Sequence, residues 1–290
     1  MSDPAKALDS VWSLCLASAT SVGPANIWAA WSLAPVVTIP LVLFAALYAA
    51  GALRRARDPH EPSALAHEAT AATAAVTLLA IALVSPLCRL SAALASVHMI
   101  QHVVLVALAP PLIVLASPVR TVGVGMLGSA QMISTGGWRE LLWNRPLRAA
   151  GAYGILIWFW HVPAAYELAL ISASWHLAYL GSLIVASLWF WTCMLRATSI
   201  GAVALALLVT MVHTGLLGAL LTFAPWPLYP IMGRGAMVFG FSPIEDQQLA
   251  GLIMWVPMGM IYLLSALVIV SRGLFAPSPE HSPATARSDR

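Results

Sequence analysis

The sequence predicts an all-α protein, a polytopic membrane helix bundle with about seven transmembrane helices, its N-terminus outside and its C-terminus cytoplasmic. Three observations carry this. The 290 residues are 60% hydrophobic and only 9% charged, with a mean hydropathy of +0.86, too little polar surface to cover a soluble chain of this length. The apolar residues gather into stretches that approach the roughly 20 residues needed to cross ~30 Å of hydrocarbon. The basic residues fall almost entirely on alternate connections.

The stretches cover 31–53, 69–87, 97–116, 148–163, 175–195, 199–222 and 248–270. The fourth is the weakest, being short and ending in Trp158, Trp160 and His161. Residues 31–271 form one membrane domain. A lead-in over 1–30, at the outer face or the interface, is too broken to span and carries Lys6 as its only basic residue, so it does not read as a signal peptide. The Pro/Ser-rich tail over 272–290 reads as disordered and cytoplasmic. Within the third connection, 117–147, the string "GWRELLWNRPLR" predicts a short interfacial helix.

Orientation follows from charge. Arg54, Arg55, Arg57, Arg120, Arg139, Arg145, Arg148, Arg196, Arg272, Arg287 and Arg290 lie on one side, against Lys6, Arg89 and Arg234 on the other. The positive-inside rule assigns the first side to the cytoplasm. The net charge of +3 therefore reflects topology. No basic, aromatic-interleaved patch points to nucleic acid.

Four of the eight histidines then share the outer level on three spans. His98 and His102 open span three, His161 closes span four, and His176 opens span five. At ~100° per residue, His98 and His102 lie about 40° apart on the helix, with Met99 within reach of the same point. An i,i+4 histidine pair is a common way for one helix to supply two metal ligands. Imidazole with thioether suits copper, especially Cu(I); zinc more often recruits Cys or carboxylates. The candidate metal ligands are therefore His98, Met99, His102, His161 and His176. Deeper or nearby additions are His213, Asp246, Met254 and Met258, with Met232 and Met237 in the sixth connection. The bland alternatives are interfacial histidines, methionine as packing filler, tryptophans in interfacial belts that include both "WFW" strings, and Glu245 and Asp246 as acids at the start of their own helix. His60, His67 and His281 read as solvated cytoplasmic residues. Pro110 and Pro111 bend span three, which a membrane helix tolerates where neighbours satisfy its freed backbone groups. Cys15 and Cys88 face an oxidising side that permits a disulfide, but their spacing does not show that they meet. No phosphate loop, Ser-His-Asp pattern or other catalytic constellation appears, and the chain does not read as an enzyme.

The strings "HMIQH", "APPL", "WHVPAAY", "LGALLTF" with "LYP", and "DQQLAGLIMWVP", in that order, resemble the seven-helix CtaG family of caa-type cytochrome c oxidase assembly factors. The resemblance runs from about Trp31 to Leu267. It implies a multi-pass protein of the plasma (inner) membrane that helps form active oxidase, with oxidase subunits and the lipid bilayer as partners and copper supply as its role. One position departs. Many such proteins carry a Glu-His pair one turn after the histidine that opens span five, where this chain has Tyr179 and Leu180. If that pair supplies a ligand, His176 must serve alone or not at all. Two other function classes remain at this stage. A haem-binding cytochrome needs histidines on facing helices, such as His98 with His161 or His213. A small-solute or proton transporter would use Asp246 and the histidines.

Overall fold

A computed structural model describes residues 15, 22–57, 62–127 and 144–275. All regular elements among them are helical. The first is α1 (Pro35–Arg55), followed by α2 (Pro62–Leu83), the short α3 (Pro86–Leu90) and α4 (Ala95–Val103). A π-helical turn over Val104–Leu108 joins α4 to α5 (Ala109–Leu115), and α6 (Pro118–Leu127) follows. Then come α7 (Pro146–His161), α8 (Pro163–Ile171), α9 (Ala173–Arg196), α10 (Ile200–Phe223), α11 (Pro230–Val238) and α12 (Pro243–Leu274). Among the described residues, six helices are long and apolar enough to cross a membrane, and a seventh span forms if α7 and α8, bent by 74° at their junction, count as one.

The expected fourth span, 148–163, is thus a correction as well as a match. Pro163 cannot continue a helix hydrogen-bonded to Phe159, and the residue before a proline is pushed to extended backbone. Val162 is extended (φ −64°, ψ 125°), and the chain turns there into α8. Span three runs as expected but is interrupted by the π turn. The cause lies in Pro110 and Pro111. Neither has an N–H, so the Val106 carbonyl lacks a donor whether the turn closes at i+4 or at i+5. Neighbouring side chains supply the missing bonds. Ser187 Oγ donates at 2.6 Å, Trp191 Nε1 at 2.9 Å and the Tyr153 hydroxyl at 3.4 Å. The Tyr153 hydroxyl also pairs with that of Tyr262 at 2.8 Å. Trp191, Tyr153, Phe190 and Tyr262 are accordingly among the largest fully buried side chains. Both "WFW" strings therefore contribute to the core: Trp160, Phe190 and Trp191 are buried. Among the described residues, the exposed tryptophans are Trp28, Trp31, Trp175, Trp226 and Trp255.

Close helix approaches rest on small residues, as expected where lipid replaces the hydrophobic drive between helices. Gly51 of α1 and Gly125 of α6 leave no room for a Cβ, since one would run into the Thr121 and Leu47 carbonyls respectively. Gly218 of α10 and Gly251 of α12 do the same for those two helices. The helix α6 replaces part of the connection read from sequence as 117–147. Its amphipathic composition serves a dock onto α1: Tyr48 donates to the Ala116 carbonyl at 2.8 Å, and Arg54 to the Val124 and Gly125 carbonyls at 2.9 and 2.7 Å. Arg55, buried beside them, bonds Glu68 at 2.6 Å and the Thr121 hydroxyl at 2.5 Å. The expected interfacial helix in "GWRELLWNRPLR" lies mostly outside the described residues, as do most of the lead-in, His60, His281 and nearly all of the tail.

The helices alternate in direction, which sorts the histidines to one end. Ser32 N donates to the Val84 carbonyl at 2.9 Å, tying the start of α1 to the end of α2. A disulfide joins Cys15 to Cys88, 73 positions apart, at this same end. The starts of α4, α9 and α12 and the ends of α7 and α10 gather there.

Candidate metal-binding site

The start of α4 is held from outside its own helix. Leu94 is its N-cap and offers no side-chain bond. The carboxylate of Asp246, on α12, accepts instead from Ala95 N at 2.6 Å, Ser96 N at 3.1 Å and Ser96 Oγ at 2.5 Å. Asp246 stands in the first turn of α12, an acid at its own helix start as expected, and in addition serves the start of α4 with both carboxylate oxygens. The start of α12 is capped by Ser242 and Glu245, which form a reciprocal capping box.

With α4 fixed, His98, Met99 and His102 are all buried. The His102 and His161 rings meet edge to face with centroids 5.6 Å apart. His98 Nε2 lies 3.0 Å from the Tyr179 hydroxyl, and the same hydroxyl lies 3.5 Å from His102 Nδ1. The His176 ring stands 5.8 Å from that of Tyr179. The four histidines foreseen at one level are thus linked through ring contacts, three of them through one tyrosine. Met99 and His161 line one small enclosed cavity with Ala95, Tyr166, Tyr229 and Gln247.

Two of these rings have an assigned tautomer. His161 Nδ1 faces the Ile157 carbonyl at 2.7 Å, and His176 Nδ1 faces the Ala169 carbonyl at 3.1 Å. A carbonyl only accepts, so each Nδ1 carries the proton and each neutral ring presents a bare Nε2. Those Nε2 atoms, with His102 Nε2, are buried and have no hydrogen-bond partner. Backbone carbonyls that fix the tautomer of a histidine are the usual second shell of a metal ligand. As placed, no three His, Cys, Asp or Glu side chains among the described residues form a ready metal-binding group. The facing pair His102 and His161 forms the heart of the cluster.

The remaining candidates sit elsewhere. His213 packs against Gly154, where an added Cβ would lie 3.0 Å from its Nε2, in a groove lined by Trp158, Ala206 and Val209. Gly154 is seven residues before His161, which puts His213 roughly 10 Å deeper at ~1.5 Å per residue. Met254 and Met258 are fully buried in the core, about two and three turns along α12 from Asp246. Met232 is buried and Met237 exposed.

Sequence reasoning missed the aromatic wall. Tyr166 meets His98 edge to face at 5.1 Å and Tyr229 at 4.7 Å. The Tyr229 hydroxyl donates to the His161 carbonyl at 2.8 Å, and burial pushes that phenol above its ordinary pKa, keeping it a donor. Trp160 stacks edge to face on Tyr179 at 5.4 Å and donates to Ser182 Oγ at 3.0 Å. Gln101, one residue before His102, donates to the Ala82 carbonyl at 2.7 Å and to Cys15 Sγ at 3.3 Å. The signal available was "WHVPAAY", which holds both a histidine and a tyrosine of the cluster.

A family model described as cytochrome c oxidase caa3 assembly factor matches residues 46–274. No curated protein and no solved structure matches the chain.

Proposed function

This chain belongs to the cytochrome c oxidase caa3 assembly factor family, and we propose that it serves assembly by holding Cu(I) at the histidine end of the bundle and passing it to an oxidase subunit. The observation that carries the reading is the set of buried, unpartnered Nε2 atoms on His102, His161 and His176. An imidazole nitrogen buried without a partner is costly, and a metal ion is a partner that takes the lone pair directly. His102 and His161 face one another, and the soft thioether of Met99 shares a cavity with His161. That donor chemistry favours Cu(I). His176 is the remaining imidazole. Copper here is cargo: a site with few donors and no thiolate releases the ion to a stronger acceptor.

The proposed orientation puts the histidine end outside and the arginine-rich end in the cytoplasm of the plasma (inner) membrane. Its support is the sorting of basic residues. Arg54, Arg55, Arg120, Arg145, Arg148, Arg196 and Arg272 mark one end, against Arg89 and Arg234 at the other. The disulfide at the histidine end fits an oxidising side.

The test is oxidase activity and copper per haem in membranes carrying His102→Ala, His161→Ala or the double variant, with protein abundance checked by immunoblot. Copper per haem is expected to fall, and added external copper to restore part of it by mass action. His67→Ala, at an exposed position near the start of α2, serves as control. Fully copper-loaded oxidase in the double variant overturns the copper-donor reading.

A further inference from the structure

The hydroxyl of Tyr179 lies between two histidines, and the protons around it can be assigned one by one. His102 Nε2 is buried with no hydrogen-bond partner, so a proton placed there would be an unpaired buried donor, which is costly. The His102 proton therefore sits on Nδ1, which faces the Tyr179 hydroxyl at 3.5 Å and donates to its oxygen. The hydroxyl gives its own proton to its other neighbour, His98 Nε2, at 3.0 Å. That nitrogen accepts, so His98 carries its proton on Nδ1, and His102 Nε2 is left bare.

We infer that His98 and Tyr179 form a positioning relay, running from His98 through the Tyr179 hydroxyl to His102, that holds His102 in the tautomer able to donate its Nε2 to a metal. His98 is then a positioning residue, and the i,i+4 pair of "HMIQH" divides its labour: one ring ligates and the other sets it. The relay is also braced sterically. The His98 and Tyr179 rings stack 5.8 Å apart, and Tyr166 and Trp160 close their edges. His161 and His176 reach the same bare-Nε2 state directly through backbone carbonyls. His102 lies in the first turns of α4, its Nδ1 faces Tyr179, and it takes its acceptor from that side chain. The consequence for copper rests on the function proposed above, whereas the tautomer does not.

Two measurements separate them. The first is ¹⁵N NMR of the full-length protein in detergent with histidine labelled, which distinguishes protonated from bare ring nitrogens; His102→Gln identifies the resonance. The wild type is expected to show His102 protonated at Nδ1. Tyr179→Phe, which keeps the ring and its packing, is expected to shift His102 toward the Nε2–H form. The second is Cu(I) affinity by competition with a chromophoric chelator, with the number of imidazole donors read by X-ray absorption. Tyr179→Phe and His98→Gln are expected to weaken Cu(I) binding roughly ten- to a hundredfold, the usual effect of losing an outer-shell partner, with no imidazole lost at saturation. An Nε2-protonated His102 in the wild type overturns the relay. So does an unchanged tautomer in Tyr179→Phe, or one imidazole fewer on copper in His98→Gln. A wild type that binds no Cu(I) but shows the expected tautomer and its shift refutes the copper reading and sustains the relay.

Discussion

Replacing Asp246 with alanine would test whether the histidine helix is held in place from across the bundle. Asp246 is only 1% exposed, and its carboxylate receives two amides and a hydroxyl from the first turn of α4. In Asp246→Ala the Ser96 hydroxyl can rotate to another acceptor, but the amides of Ala95 and Ser96 cannot. A buried donor left unpaired costs about 1–3 kcal/mol. Two of them, each at the lower half of that range, come to about 2–4 kcal/mol in all. With about 1.4 kcal/mol per factor of ten, the first turn of α4 should open roughly 30- to 700-fold more often. Hydrogen exchange read by mass spectrometry on a peptide covering residues 95–100 measures this. Asp246→Asn keeps one oxygen and should fall between the two. Glu245→Ala, which removes an exposed carboxylate from the cap of α12, should leave exchange in α4 unchanged. Exchange in Asp246→Ala within threefold of wild type would refute the cross-bundle cap, and with it the account of how His98 and His102 are placed.

Four further outcomes follow from the fold. Gly251→Ala drives a methyl into the Gly218 carbonyl and Thr222; it should cost about 1–3 kcal/mol, typical of overpacking, read as a lower midpoint in detergent unfolding. Trp191→Phe removes one of three donors to the Val106 carbonyl; the loss should be near 0.6 kcal/mol, the average for polar contacts between membrane helices, while adding Ser187→Ala should cost more than the two singles summed, because the last donor is distant. Cys88→Ser opens a loop of 73 positions, and loop-closure entropy sets an upper bound of about 4 kcal/mol on the lost stability; thiol titration before and after reduction checks that the bond exists. A C-terminal alkaline phosphatase fusion should be inactive and a C-terminal fluorescent fusion bright, and an active phosphatase would reverse the proposed orientation.

The spans were legible because a bilayer demands a single property, apolar length, that composition shows directly. The π turn was half legible. Pro110 and Pro111 announced freed carbonyls, but not that Tyr153, Ser187 and Trp191, from 47 to 85 positions distant, would meet at Val106. For the same reason both "WFW" strings were misread: tryptophan suits a membrane interface and a buried hydrogen bond equally well, and only the partner decides. The second role of Asp246, across the bundle, was missed because capping was treated as local. Its acceptor oxygens reach 150 positions back in the chain, to Ser96, and no local pattern encodes that distance. The histidine level was readable from helix ends and topology. Tyr179 was singled out only as a departure from expectation, and its hydrogen bonds to His98 and His102 depend on the packing of α9 against α4.

The location of the cluster has a common physical cause. Each histidine lies within about two turns of a helix end: His98 and His102 after the start of α4, His161 as the last residue of α7, His176 just inside α9. Helix ends are where backbone carbonyls and amides lack intrahelical partners. The Ala169 carbonyl is one of these, because α8 stops at Ile171 and the chain breaks at Ser172. His176 Nδ1 takes it, and its own Nε2 is left bare. The proline that ends α7 after His161 works to the same result, turning the chain so that Tyr166, on α8, packs against His98. Helix breaks thus supply both the acceptors that set the imidazole tautomers and the change of direction that walls the site. A membrane protein can place such breaks only where the freed groups find partners or water. Here the breaks at Val162 and Ser172 fall at one end of the bundle, beside the buried imidazoles, so the carbonyls that orient His161 and His176 come from the same backbone that is interrupted to form the site.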